Sequence, residues 1–170
     1  MDEVRKVVQV EGGVVVGHDG SKCAQEALRW AARLARRADV DVHVVRAWSM
    51  TTAPHPATWE PGYVPPLPDW EQAVLEELTA HVAAAGLDPA ARVTCHVVHR
   101  PPVQGLLAAA EGANLVVVGA RGRGGFSGLL LGSVSDQLVH HAACPVTVVR
   151  TGAGGRDFTT AGAGSAVVGE

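Results

Sequence analysis

Five short valine-rich runs punctuate the chain, and a segment with helical periodicity separates each from the next. The runs are Val14–Val16, Val42–Val45, Val93–Val98, Leu115–Val118 and Val146–Val149. Their apolar residues are continuous rather than alternating, as suits strands buried on both faces of a parallel sheet. The first intervening segment places Ala24, Ala27, Leu28, Ala31, Leu34, Ala35 and Ala38 on one face, with Arg29, Arg33, Arg36 and Arg37 largely off it. Ser21 stands where an N-cap belongs. The second places Trp70, Val74, Leu78, Val82 and Ala85 together, with Asp69 as a start signal and Gly86 as a stop. The third is short, over Val103–Glu111, and the fourth follows Gly132 with Val134, Leu138 and Val139. Strands alternating with helices imply right-handed crossovers and helices on both sheet faces, which predicts a doubly wound α/β fold.

Composition bounds the rest. At 170 residues the chain fits one domain. An apolar fraction of 47% with 18% charge excludes wholesale disorder. Fourteen basic against seventeen acidic side chains give a net charge of −3, which argues against broad electrostatic binding of nucleic acid. No apolar run reaches the ~18 residues a membrane helix needs. The first residues lack the basic-then-apolar layout of a signal peptide, so a cytoplasmic location is expected. Cys23, Cys95 and Cys144 form no CxxC pair and read as buried, reduced thiols. His140 and His141 read as structural, at the end of a helix where positive charge is favoured.

Two segments break the alternation. Residues 49–69 hold six prolines and make a long connection whose Trp59 and Tyr63 could fold over a ligand. Residues 151–170 are rich in Gly, Ala and Thr without periodicity and are expected to be a disordered tail on a domain spanning 1–150.

The strongest chemical signal runs from the fourth strand into the fourth helix. Gly119, Gly122, Gly124, Gly125 and Gly128 precede a helix that starts at Gly132-Ser133. Glycines permit close backbone approach, and successive N–H groups in such a loop form an anion-binding nest. The helix adds its free N–H groups and its dipole. Ser133 and Ser135 add hydroxyls, and Arg121 and Arg123 add positive charge, so the ligand expected is one that bears phosphate. The bland alternative is a flexible loop in which Ser133 serves only as a helix cap. A Walker A loop is absent because no lysine lies between Gly132 and Ser133. A dinucleotide fingerprint is absent because the first strand runs into Gly17-His18-Asp19-Gly20-Ser21.

The spacing Gly119-x2-Gly122-x9-Gly132-Ser133 resembles the signature of the ATP-binding branch of the universal stress protein family. Val14–Ser21, Val44–Trp48, Leu129–Ser135 and Cys144–Val149 resemble that family's flanking segments, in its order, over about residues 8–150. The resemblance implies a single domain with a five-stranded parallel sheet of order 3-2-1-4-5. The turn after strand 1 and the glycine loop after strand 4 would then meet at the switch point. It further implies that Gly17, His18 and Asp19 line the adenine and ribose side and that Ala47 lies against the adenine. Val118 and Gly119 would offer backbone groups to ribose and phosphates. Gly122, Gly132, Ser133, Val134 and Ser135 would hold the phosphates, with Arg121 and Arg123 at variable motif positions beside them. ATP, with Mg²⁺ as companion, is the implied ligand, and a homodimer through the strand at Pro145–Val149 is the implied assembly.

The function so implied is a stress-response regulator that senses or sequesters adenine nucleotide. Without a P-loop lysine or a clear base other than His18 or Asp19, hydrolysis would be slow or absent. The competing reading is a dimeric interaction scaffold in which nucleotide is incidental. An ATP-pyrophosphatase would need a Ser-Gly-Gly-x-Asp-Ser loop after strand 1. A phosphoacceptor receiver domain would need an Asp at the end of strand 3, where His99-Arg100-Pro101 stands.

Overall fold

The elements alternate strictly: β1 (Val14–Gly17), α1 (Lys22–Ala38), β2 (Val42–Trp48), α2 (Leu67–Ala84), β3 (Val93–His99), α3 (Pro102–Ala110), β4 (Leu115–Gly119), α4 (Ser133–His141) and β5 (Val146–Val149). The computed structural model describes residues 4–124 and 130–152. The strands form one parallel sheet of order β3-β2-β1-β4-β5, as expected. β1 is central, with Val14 level with both Val42 and Leu115. The chain winds outward to β3 on one side and to β5 on the other. The carboxyl ends of β1 and β4 therefore border the crevice where the winding reverses.

Side chains alternate across the sheet and build two cores. Val14, Val16, Val42, Val44 and Trp48 pack with Leu28, Val74 and Leu78 under α1 and α2. Val15, Val45, Val98, Val116 and Val118 pack with Leu106, Ala109 and Leu138 under α3 and α4. Ser21 caps α1 by accepting from the Ala24 N–H at 3.1 Å. Asp39, with φ of 54°, ends that helix, and the Val40 N–H returns to the Ala35 carbonyl at 3.0 Å.

Several details differ from the sequence expectation. α2 starts at Leu67 behind Pro66, so Asp69 is a first-turn acid rather than the start signal. Ala38 is exposed, and Ala32 takes a place in the core instead. Cys23 is buried, whereas Cys95 and Cys144 are only half-buried; all three are free thiols. Burial pushes the Cys95 and Cys144 thiols above their ordinary pKa.

The proline-rich segment packs back on α2. Thr58 donates to the Asp69 carboxylate at 2.6 Å, the Trp70 indole donates to the Pro65 carbonyl at 3.1 Å, and His55 stacks on Trp59. Trp59 and Tyr63 stay exposed there. An N-terminal strap was not foreseen. Val4 joins the first core, Val8 and Val10 join the second, and the Arg5 carbonyl accepts the His99 N–H at 2.8 Å. The proposed tail beyond Gly152 lies outside the described residues. Among the described residues no helix is long and apolar enough to cross a membrane.

Candidate functional site

Beyond the carboxyl end of β1 the chain turns through His18, Asp19, Gly20 and Ser21 into α1. His18 is buried. Its Nδ1 accepts the Gly20 N–H at 3.1 Å, which places the ring proton on Nε2, 2.9 Å from the Gln25 carbonyl oxygen. Gln25 passes the tie on, donating to the His81 carbonyl on α2 at 2.9 Å. Burial lowers the His18 pKa and keeps the ring neutral. Both ring nitrogens are thus committed to the protein. His18 lines the cleft as a wall whose polar atoms already have partners.

Asp19 is the hinge pin between two loops. Its Oδ1 accepts the Ser21 N–H at 2.9 Å, and its Oδ2 accepts the Arg123 N–H at 3.0 Å. Burial alone would raise this carboxyl. The hydrogen bonds from Ser21 and from the Arg123 backbone outweigh it and hold Asp19 below its ordinary pKa.

The glycine loop has distinct local reasons for its glycines. A Cβ at Gly119 would lie 2.6 Å from the Cys23 Cβ and 2.7 Å from its carbonyl carbon, so this glycine lets α1 approach β4. A Cβ at Gly122 would lie 2.6 Å from Asp19 Oδ2, so this glycine admits the carboxylate. A Cβ at Gly132 would meet only ordinary contacts, at 3.5 Å or more, and the residue's φ is −75°. Packing within the described protein therefore gives Gly132 no steric reason to be glycine. Gly125, Phe126, Ser127, Gly128 and Leu129 lie outside the described residues.

Gly132 is the N-cap of α4, and among the described residues no side chain caps that helix. Ser133 is therefore its first helical residue, not its cap. The opening N–H groups of the helix stand at the cleft without a side-chain acceptor. The Ser135 hydroxyl differs from expectation. It donates internally, to the Gly132 carbonyl at 2.9 Å and the Ala120 carbonyl at 3.2 Å, and is buried. The Gly132 N–H also returns to Ala120, at 2.7 Å, so the loop is pinched shut at its base.

Arg46 was missed by the sequence reading. It is 3% exposed and forms an ion pair with Glu77 of α2 at 3.0 Å, and its Nη2 lies 3.4 Å from the Thr52 carbonyl. Its Nη1 has no hydrogen-bond partner among the described residues. Glu77 also holds Arg123 of the glycine loop, at 3.3 Å. The only sequence signal was a cation set between apolar residues of β2.

These parts enclose one cleft of about 810 Å³. Gly17, His18, Asp19 and Ala47 wall one side; Val118, Gly119, Arg121, Gly122 and Arg123 wall another; Gly132, Ser133, Val134 and Ser135 close the helix end. All of the motif-derived residues thus meet. Arg46, Thr51, Thr52 and Ala53 join them from β2 and the loop after it, while Trp59 and Tyr63 do not reach the cleft. The charges sort by position. Asp19 and Glu77 balance Arg46 and Arg123, whereas Arg121 lies exposed at the loop. An apolar floor of Val45, Ala47, Leu106 and Val118 lies beside this polar rim, a combination suited to a ring joined to an anion.

Comparison with known proteins matches residues 13–150 to the model of the universal stress protein family. Universal stress protein Rv2623 of Mycobacterium tuberculosis is 38% identical over 141 residues, 81% of this chain and 44% of that protein. The chain therefore spans less than half the length of that relative. A solved universal stress protein in complex with cAMP is 26% identical with a TM-score of 0.55, covering 84% of this chain and 98% of that one. UspA from Lactobacillus plantarum shares the fold at 20% identity, with a TM-score of 0.60 over 84% of this chain and 99% of that one.

Proposed function

Because the chain belongs to the universal stress protein family, we propose that its cleft binds an adenine nucleotide, ATP with Mg²⁺, and that the protein senses or sequesters it. The observation that carries this reading is the uncapped start of α4. Its free N–H groups and dipole end face the cleft beside a glycine that packing does not require. A similar protein solved with cAMP supports the adenine class.

Mg²⁺ would ride on the phosphates. Among the described residues no group of three or more His, Cys, Asp or Glu could hold a metal ion. Both Asp19 oxygens already accept backbone N–H groups, so that carboxylate has at most spare lone pairs to offer. The same commitments favour slow or no hydrolysis. His18 has no free ring nitrogen, and Asp19, held ionised by its hydrogen bonds, is a weak base.

A homodimer through β5 fits this reading, since among the described residues β5 pairs only with β4 and its other edge stays open. The domain proper would span 1–150, in the cytoplasm, with 151–170 as a tail. The test is small-molecule mass spectrometry after acid release, paired with melting with and without Mg-ATP. Ligand at a hundred times Kd adds about 2.7 kcal/mol and a clear rise in Tm. Neither released nucleotide nor a shift would leave the glycine loop structural and favour the scaffold reading.

A further inference from the structure

We propose that Arg46 binds the nucleoside end of the ligand, donating from Nη1 to a neutral acceptor, a ring nitrogen of the base or a ribose oxygen, while the α4 end takes the phosphates. This rests on the nucleotide reading above. Arg46 belongs to the cleft wall and is 3% exposed. Its guanidinium is fixed on one side by Glu77 and the Thr52 carbonyl, which leaves the Nη1 donors with no acceptor among the described residues. A buried donor left unpaired is costly, so a ligand atom that satisfies it is favoured by the full value of that hydrogen bond.

Charge then decides which part of the ligand it takes. Glu77 pairs with Arg46 and Arg123, and Asp19 accepts the Arg123 N–H, so two cations already face two carboxylates at this end of the cleft. A phosphate placed there would meet Asp19 and Glu77 without an uncompensated cation to receive it. Neutral oxygen or nitrogen acceptors meet no such opposition. The start of α4, which no side chain caps among the described residues, and the exposed Arg121 stand on the same cleft and are not engaged by Glu77. Ala47, the next residue on β2, adds an apolar wall against which a flat base can lie.

The test compares binding of AMP, ATP and inorganic tripolyphosphate by titration calorimetry. Removing Arg46 alone would leave Glu77 paired only with the more exposed Arg123, so the comparison runs within the Glu77→Gln background, R46M/E77Q against E77Q, with wild type alongside. The expected result is that the Arg46 change weakens AMP and ATP by the same factor, about tenfold or more for a hydrogen bond from a charged donor. Tripolyphosphate should change by less than about threefold, as befits a distant charge screened by salt. Equal weakening of tripolyphosphate would assign Arg46 to the phosphates and overturn the proposal. Unchanged AMP and ATP would reduce Arg46 to a structural ion pair and also overturn it. If wild type binds neither AMP nor ATP, the nucleotide reading itself fails, a result distinct from either of these.

Discussion

The Asp19 carboxylate accepts the backbone N–H of Arg123 at 3.0 Å across 104 residues of sequence. That one bond joins the turn after β1 to the glycine loop after β4. Gly122, the residue before Arg123, makes it possible, because a Cβ there would collide with the carboxylate. The Gly-x2-Gly spacing thus has a physical reading: the first glycine admits α1 and the second admits Asp19.

Replacing Asp19 with Ala releases this tie together with the one to Ser21. Nucleotide affinity should fall sharply, and stability should drop by about 2 kcal/mol, as expected for hydrogen bonds to a charged group. The effect has a pH signature. Asp19 titrates below its ordinary 3.8, so its contribution is fully present above that value and is lost as pH falls through the lower folded pKa. Urea unfolding from pH 6 to pH 2 should show wild type and variant converging only below about pH 4.

Two glycine variants should separate packing from binding. Gly119→Ala drives a methyl into Cys23 and should lower stability by about 1–3 kcal/mol or more. Gly132→Ala meets only van der Waals contacts and a φ that alanine adopts, so it should melt within a few degrees of wild type. Its nucleotide shift should nevertheless be reduced or abolished. A G132A protein that responds to Mg-ATP as wild type does would remove Gly132 from the site.

The two serines of α4 should behave oppositely. Ser133 is exposed at the helix start, and Ser133→Ala should weaken nucleotide by about 1 kcal/mol, with the unliganded Tm unchanged. Ser135→Ala deletes both internal hydrogen bonds that pinch the loop and should lower the Tm before any ligand is added. Differential scanning fluorimetry with and without nucleotide reads both.

His96 offers a test remote from the cleft. Its Nε2 lies 3.1 Å from His43 Nδ1, and burial, with His43 and Arg5 nearby, pushes its pKa down to about 4. The folded state therefore prefers the neutral ring. Stability should decline as pH falls from about 6.5 toward 4, and His96→Gln should flatten that slope. Proton NMR of the His96 imidazole should show it titrating well below an ordinary histidine, near pH 4.

The sheet was legible because its central strands β1 and β4 are buried on both faces, which leaves continuous apolar runs, while the half-buried edge strands β3 and β5 still carry valine-rich ones. Val146–Val149 coincides with β5, and the other runs fall short of their strands only at the carboxyl ends, by Gly17, Arg46–Trp48, His99 and Gly119. The cleft was legible through its glycines, of which Gly119 and Gly122 mark close approaches that a side chain would forbid. Arg46 was not legible, because its meaning depends on Glu77, which only the packing of α2 on the sheet brings near. Nor was the Ser135 hydroxyl, whose acceptors are carbonyls set by the loop's return. Trp59 misled because aromatic character marks a site only when the backbone turns it inward, and here it stacks on His55.

The strap from Val4 to Val10 has a consequence for assembly. It threads both cores and places the Arg5 carbonyl on the His99 N–H, so the strap meets that margin of the sheet at the carboxyl end of β3. The opposite margin, at β5, is bare among the described residues. Strand addition along the whole β3 margin would have to displace the strap from His99, whereas addition at β5 displaces nothing among the described residues, so the two margins are unequal docking edges.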